Sequence, residues 1–211
     1  MEAFNDGYQS LQCQDWEFVV KLDGDLTFEP DYFERILKRF LAEPRLGVAG
    51  GTLRSLSEGT MKIERNPKFH VRGATKMYRR ECWEEIGGFF PAPGWDTLDE
   101  TSASMKGWAT MSIPDVLAVH HRPTGATEGA WADSLKRGLI WYTVGYHPLF
   151  VLASCLNRLV QKPYVVRSVG GLCGFFRAYF SRVPRISNPE LIRFIRQEQM
   201  KRLTGRETIW R

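Results

Sequence analysis

An apolar run, Trp16-Glu17-Phe18-Val19-Val20-Lys21-Leu22, stops abruptly at Asp23-Gly24-Asp25. Its β-branched and aromatic residues make it a strand. The two carboxylates are therefore expected at a strand's carboxyl end, where open α/β sheets bind ligands. Acids at i and i+2 on extended backbone point to one side, and Gly24 between them lets a bulky ligand approach. Hard oxygen donors of this kind suit Mg²⁺ or Mn²⁺, which bind through one or two carboxylates together with substrate phosphates. Asp and Gly also form ordinary surface turns. The strand before the tripeptide and the helix that Pro30 opens after it favour the metal reading.

Apolar residues at helical spacing (Phe33, Ile36, Leu37, Phe40, Leu41) predict a helix that ends at Glu43-Pro44. Strands are expected over 46–53 and 71–78, and over 111–121 with a break at Pro114. Helices are expected over 80–86, capped by Gly87-Gly88, and over 97–106, ended by Gly107. Strands alternating with helices mark an α/β sheet. Beyond Thr127 the pattern turns helical, with breaks expected at Gly145, Pro163, Gly170-Gly171, Gly174, Pro184 and Pro189, and a last helix from Pro189 to about Leu203. The expected division is a catalytic part over 1–128 and a basic, mainly helical segment over 129–211.

The stretch from Val19 to Phe28, followed by Pro30-Asp31-Tyr32-Phe33, resembles the DxD segment of family 2, GT-A-type glycosyltransferases. The resemblance implies a mixed sheet flanked by helices and an inverting, metal-dependent transfer from a nucleotide-diphospho-sugar to a saccharide or lipid-linked acceptor. It implies that Asp23 and Asp25 hold the metal on the donor diphosphate. Gly87-Gly88-Phe89 followed by Trp95-Asp96-Thr97-Leu98-Asp99-Glu100 and Gly107 is similar to the family's acceptor segment, which carries the catalytic base. The usual Glu-Asp pair with a further acid two residues on is absent. Counting back from Gly107 favours Asp96 as the base, with Asp99 as the alternative and Glu100 the third candidate. Helix capping by Asp96 or Thr97, with Asp99 and Glu100 at the dipole end, accounts for the same acids structurally. Arg72-Gly73-Ala74 resembles the segment lining the donor, where the small residues leave room for a sugar ring and Arg72 pairs with phosphate; a solvated strand charge is the equal alternative for Arg72. His120 or His121, at a strand end, is expected to complete the metal shell. Family members begin with further βα units that bind the nucleotide base, and none precedes Trp16. A truncated chain with an unpaired sheet edge is the resulting expectation, and an incompetent remnant serving as a binding or assembly module is the alternative function.

Residues 1–129 carry 15 Lys/Arg against 20 Asp/Glu, whereas residues 130–211 carry 14 against 4. The basic tail, with Phe175-Phe176-Arg177-Ala178-Tyr179-Phe180, suggests contact with an anionic membrane; no nucleic-acid motif accompanies it. The uncharged run from Gly138 to Leu156 is interrupted by Gly145 and Pro148, which predicts a buried or interfacial helix pair rather than a membrane span. Four scattered cysteines form no CxxC pair, so free thiols in a reducing compartment are expected. The expected location is cytoplasmic, peripheral at the inner face of the membrane.

Overall fold

The structure is a computed structural model and describes residues 2–57, 60–64, 66–90, 92–121, 129–159 and 165–210. The chain divides into two compact units, one built from residues 1–91 and 95–124, the other from 92–94 and 125–210.

The first unit is a mixed α/β layer. In chain order it comprises α1 (Glu2–Gln9), β1 (Phe18–Leu22), β2 (Leu26–Phe28), α2 (Tyr32–Ala42), β3 (Leu46–Ser57), β4 (Thr60–Ile63), β5 (Thr75–Arg79), α3 (Arg80–Ile86), α4 (Trp95–Met105) and β6 (Ala109–His120). The strands run β1-β5-β3-β6-β2, with β4 paired to β3 outside this path. Among the described residues only β3 and β6 pair in parallel. Among the described residues β1 pairs with β5 alone, so it ends the sheet.

One face of the sheet is covered by α2. Its Tyr32, Ile36 and Phe40 recur every fourth residue and are fully buried, the stripe a helix needs to pack on a sheet. Gly51 makes room for this packing, and Gly50 for the strand contact on the other face. A Cβ on Gly50 would stand 2.2 Å from the Thr75 carbonyl oxygen, and one on Gly51 would stand 2.5 Å from that of Val116. The Tyr32 hydroxyl uses the space, accepting from Gly51 N at 2.9 Å and bonding Thr75 Oγ1 at 2.7 Å. The other cluster joins Tyr78, Cys82, Trp83, Phe89 and Trp108, with Phe4 and Tyr8 of α1 laid on it.

Three local expectations need correction. Pro114 does not break the last strand, because β6 runs continuously from Ala109 to His120 and takes the proline at a bulge, where a missing N–H is tolerated. Opposite Gly51 stands Ile113, yet opposite Thr52 stands Leu117. The acidic helix begins at Trp95, so Asp96 and Thr97 lie inside its first turn rather than capping it. Gly170, Gly171 and Gly174 do not interrupt a helix; they lie within one.

The second unit holds α5 (Ala130–Thr143), α6 (Pro148–Arg158), α7 (Val166–Phe180) and α8 (Pro189–Leu203). The α7 glycines allow α5 to touch its backbone. A Cβ on Gly138 would lie 2.1 Å from Gly171 O, and one on Gly174 would lie 2.2 Å from Leu135 O. Packing thus overrides the low helix propensity of glycine. The uncharged run becomes the helix pair α5 and α6, and no described helix is long and apolar enough to cross a membrane. Asn188 caps α8 by accepting from Leu191 N at 3.0 Å, with Pro189 at the first helical position.

All four cysteines are free, two buried and two exposed. Burial pushes the Cys82 thiol up to about 12, so its nucleophilic thiolate is absent at neutral pH. Maleimide at pH 7 is expected to label Cys13 and Cys173 rapidly, and Cys82 and Cys155 only after unfolding. Mass spectrometry of the intact chain checks this, and rapid labelling at Cys82 contradicts the packing described.

Candidate active site

The Asp23-Gly24-Asp25 segment joins β1 to β2 and is pinned at both ends. Asp23 N donates to Ala74 O at 2.9 Å, and Asp25 O accepts from His121 N at 3.0 Å. Gly24 and Asp25 form a turn, so the acids converge through that turn rather than along extended backbone. The register of β2 on β6 sets Leu26 opposite His120, and this brings the imidazole to the carboxylates. His120 Nε2 lies 3.4 Å from Asp25 Oδ1. One donor atom from each of Asp23, Asp25 and His120 falls within 4.8 Å of the others. His121 stands apart, with Nε2 2.7 Å from Thr27 Oγ1. The Arg122 that follows lies outside the described residues.

This donor set fits a divalent cation. Two carboxylates and a neutral imidazole are Mn²⁺ ligands, and the carboxylates alone suit Mg²⁺. His120 Nδ1 is buried and has no hydrogen-bond partner among the described residues. A positive charge also stands at the site, because Lys21 pairs through Nζ with Asp23 Oδ1 and is only 13% exposed.

The second acidic cluster separates by burial. Asp99 is fully buried, with Lys76 Nζ 3.0 Å from each of its oxygens and the Tyr78 hydroxyl donating to Oδ2. Glu100 is buried too, accepting from Val71 N at 2.7 Å, with His70 Nδ1 at 2.9 Å and Lys76 Nζ at 2.9 Å. Burial alone would depress Lys76, but the charges of Asp99 and Glu100 prevail and hold its ammonium above the ordinary lysine range. Burial, ahead of the neighbouring acid, pushes the Tyr78 hydroxyl well up. Burial pushes Asp99 up as well, opposed by Lys76. Asp99 and Glu100 thus have structural partners in this network. Asp96 is half-buried and differs from them: among the described residues its carboxylate has no hydrogen bond or ion pair. Its carbonyl oxygen accepts from Lys76 Nζ.

Asp23 and Asp96 border adjacent residues, Ala74 and Gly73 respectively. Asp23 is bonded to Ala74 O, and a Cβ on Gly73 would stand 3.3 Å from Asp96 Cβ and 3.1 Å from the Trp95 ring. That indole stands beside Gly73, where the resemblance implied room for a sugar ring, and Ala74 belongs to the core. Lys21 and Lys76, directly opposed on β1 and β5, both lie 5.6 Å from the Trp95 ring centroid. Arg72 pairs with Glu64, Nε to Oε2 2.8 Å.

No protein-family profile matches the sequence, and no curated protein matches it. Among solved structures the chain is similar to the mannosyltransferase PcManGT from Pyrobaculum calidifontis in complex with GDP-Man and Mn²⁺. The two share 17% identity with a TM-score of 0.47, over 98% of this chain and 55% of that one. The chain thus spans about half the length of that enzyme.

Sequence reasoning passed over Lys21, Lys76 and Trp95. A lysine within each of two strand segments was the available signal, since a buried charge needs a partner.

Proposed function

We propose that this chain carries the metal and acceptor half of an inverting glycosyltransferase, moving a sugar from a nucleotide-diphospho-sugar to an acceptor hydroxyl. The observation that carries this reading is the placement of the Asp23–Asp25–His120 triad and the unengaged Asp96 carboxylate against the shared segment Gly73-Ala74. Asp23, Asp25 and His120 would hold Mg²⁺ or Mn²⁺, which supplies charge neutralisation at a departing diphosphate. Asp96 takes the proton from the acceptor hydroxyl. As it does so, that oxygen bonds to the anomeric carbon, and the bond from this carbon to the diphosphate oxygen breaks, its electron pair leaving with the phosphate. Lys76 keeps the first turn of α4 in place through the Asp96 carbonyl. The Trp95 ring offers an apolar surface beside the acid.

Nucleoside diphosphate release from UDP- and GDP-sugars, measured with and without Mn²⁺, tests the proposal. Wild type is expected to turn over only with metal. Asp96→Asn should lower kcat by about a hundredfold or more, the usual worth of a general base, with donor KM unchanged. Turnover equal to wild type in Asp96→Asn removes Asp96 from the chemistry.

A further inference from the structure

Lys21 and Lys76 stand directly opposite each other on β1 and β5. Each ammonium lies 5.6 Å from the centroid of the Trp95 ring. Like charges placed opposite one another are unfavourable, so each lysine needs an anion. Lys76 is saturated. Its Nζ lies 3.0 Å from both oxygens of Asp99 and 2.9 Å from Glu100 Oε1, and it donates to the Asp96 carbonyl oxygen. Both of these carboxylates are buried with it.

Lys21 is not saturated. Its ammonium donates to Asp23 Oδ1 and, among the described residues, to no other acceptor. The lysine side chain is 13% exposed, whereas that of Asp23 is 40% exposed. An ammonium so far withdrawn from water depends on its counter-ion. That counter-ion is one of the two carboxylates of the candidate metal triad. Once Asp23 turns its oxygen to a divalent cation, Lys21 loses its one carboxylate partner.

The charges identify the replacement. Two carboxylates against one ammonium leave the triad and Lys21 with a single net negative charge, the imidazole being neutral. A divalent cation turns this into a single positive charge. A ligand with two or more negative charges answers the cation and the freed ammonium together, and an uncharged sugar does not. Position agrees with charge. Lys21 is bonded to Asp23 on one side and stands at the Trp95 ring on the other, and Trp95 adjoins Asp96, the proposed base.

We propose, on the transferase reading of this site, that Lys21 changes partner: it neutralises Asp23 in the empty site and binds the donor's diphosphate oxygens when Asp23 holds a divalent cation. Lys21 thereby opposes the cation alone and favours cation and diphosphate together. Such coupling is reciprocal, each ligand tightening the other by the same factor.

Equilibrium dialysis of GDP and UDP, with and without Mn²⁺, tests this beside a titration with Mn²⁺ alone, and neither measurement needs turnover. Wild type is expected to bind the diphosphates more tightly with Mn²⁺ than without. Lys21→Met is expected to bind Mn²⁺ alone more tightly, yet to lose about tenfold or more in diphosphate affinity at saturating Mn²⁺, the usual worth of a charge-assisted hydrogen bond. Lys21→Gln, which can still hydrogen-bond Asp23, should show the same diphosphate loss, and Lys21→Arg should recover most of it. Diphosphate affinity equal to wild type in Lys21→Met and Lys21→Gln, with Mn²⁺ bound by all, overturns the assignment and leaves the transferase reading standing. Parallel loss of Mn²⁺ and diphosphate affinity in variants that keep their circular dichroism also overturns it, since the lysine then only holds Asp23 in place. Wild type that binds Mn²⁺ but no diphosphate has the same consequence. Wild type that binds neither sinks both the assignment and the reading beneath it.

Discussion

Asp25→Asn is expected to weaken Mn²⁺ binding by about a hundredfold or more, and Lys21→Met to strengthen it. In the proposed site Asp25 would supply a ligand oxygen, and it faces His120 Nε2 at 3.4 Å. Even partners one layer behind metal ligands are worth roughly ten- to a hundredfold, so loss of a ligand charge should cost no less. Lys21 acts in the opposite direction. Its ammonium occupies Asp23, and a divalent ion must displace or tolerate it. Repulsion between a single and a double charge about 5 Å apart in water is on the order of 1–2 kcal/mol, which makes the expected gain in Lys21→Met about tenfold. Electron paramagnetic resonance titration with Mn²⁺ alone reads both variants without any turnover. Equal affinity in wild type and Asp25→Asn would show that the triad is not the metal site. Weaker binding in Lys21→Met would show that the lysine supports the site rather than competing for it.

The largest stability effect is expected at Lys76. Its side chain is fully buried between Asp99 and Glu100. Removing one partner of a buried ion pair costs about 3–5 kcal/mol, because the charge left behind has no solvent. Lys76→Met should therefore bring the chain near its unfolding threshold, with the loss read from the urea midpoint. The pH dependence has a definite sign. Asp99 is pushed up even beside Lys76, and without the ammonium it rises further. A carboxyl whose folded pKa exceeds its unfolded value gives its full stabilisation below the unfolded value and loses it as pH rises through the folded one. The Lys76→Met defect should thus shrink as the pH is lowered towards the ordinary carboxylate range and be largest at neutral pH. Adding Asp99→Leu should restore part of the loss, since an apolar replacement of a buried pair is often neutral. A defect that deepens on acidification would mean that the network does not carry the buried charges described.

What the sequence disclosed depends on how local each signal was. The place of the DGD segment after β1 and the Asn188-Pro189 start of α8 follow from neighbouring residues, whereas the buried stripe of α2 is Tyr32, Ile36 and Phe40 and leaves Leu41, expected in it, exposed. The identity of the unengaged acid among Asp96, Asp99 and Glu100 does not, because their burial is settled by Lys76 and Tyr78 across the sheet on β5. The glycines of α7 read as breaks for the same reason: their low helix propensity is a local fact, while their contact with Gly138 and Leu135 lies some thirty residues away. Gly73 was read as room for a ligand; the Trp95 indole that stands beside it comes from α4, some twenty residues on.

The β6 bulge settles which histidine reaches the carboxylates. Side chains along a strand alternate between faces, so one extra or missing residue exchanges them. Between Ile113, paired with Gly51, and Leu117, paired with Thr52, the strand inserts Pro114, Asp115 and Val116. That odd insertion resets the parity of everything downstream. It directs His120 to Asp25 and leaves His121 with Thr27. The composition of the candidate metal triad thus depends on a strand's register as much as on its residue types.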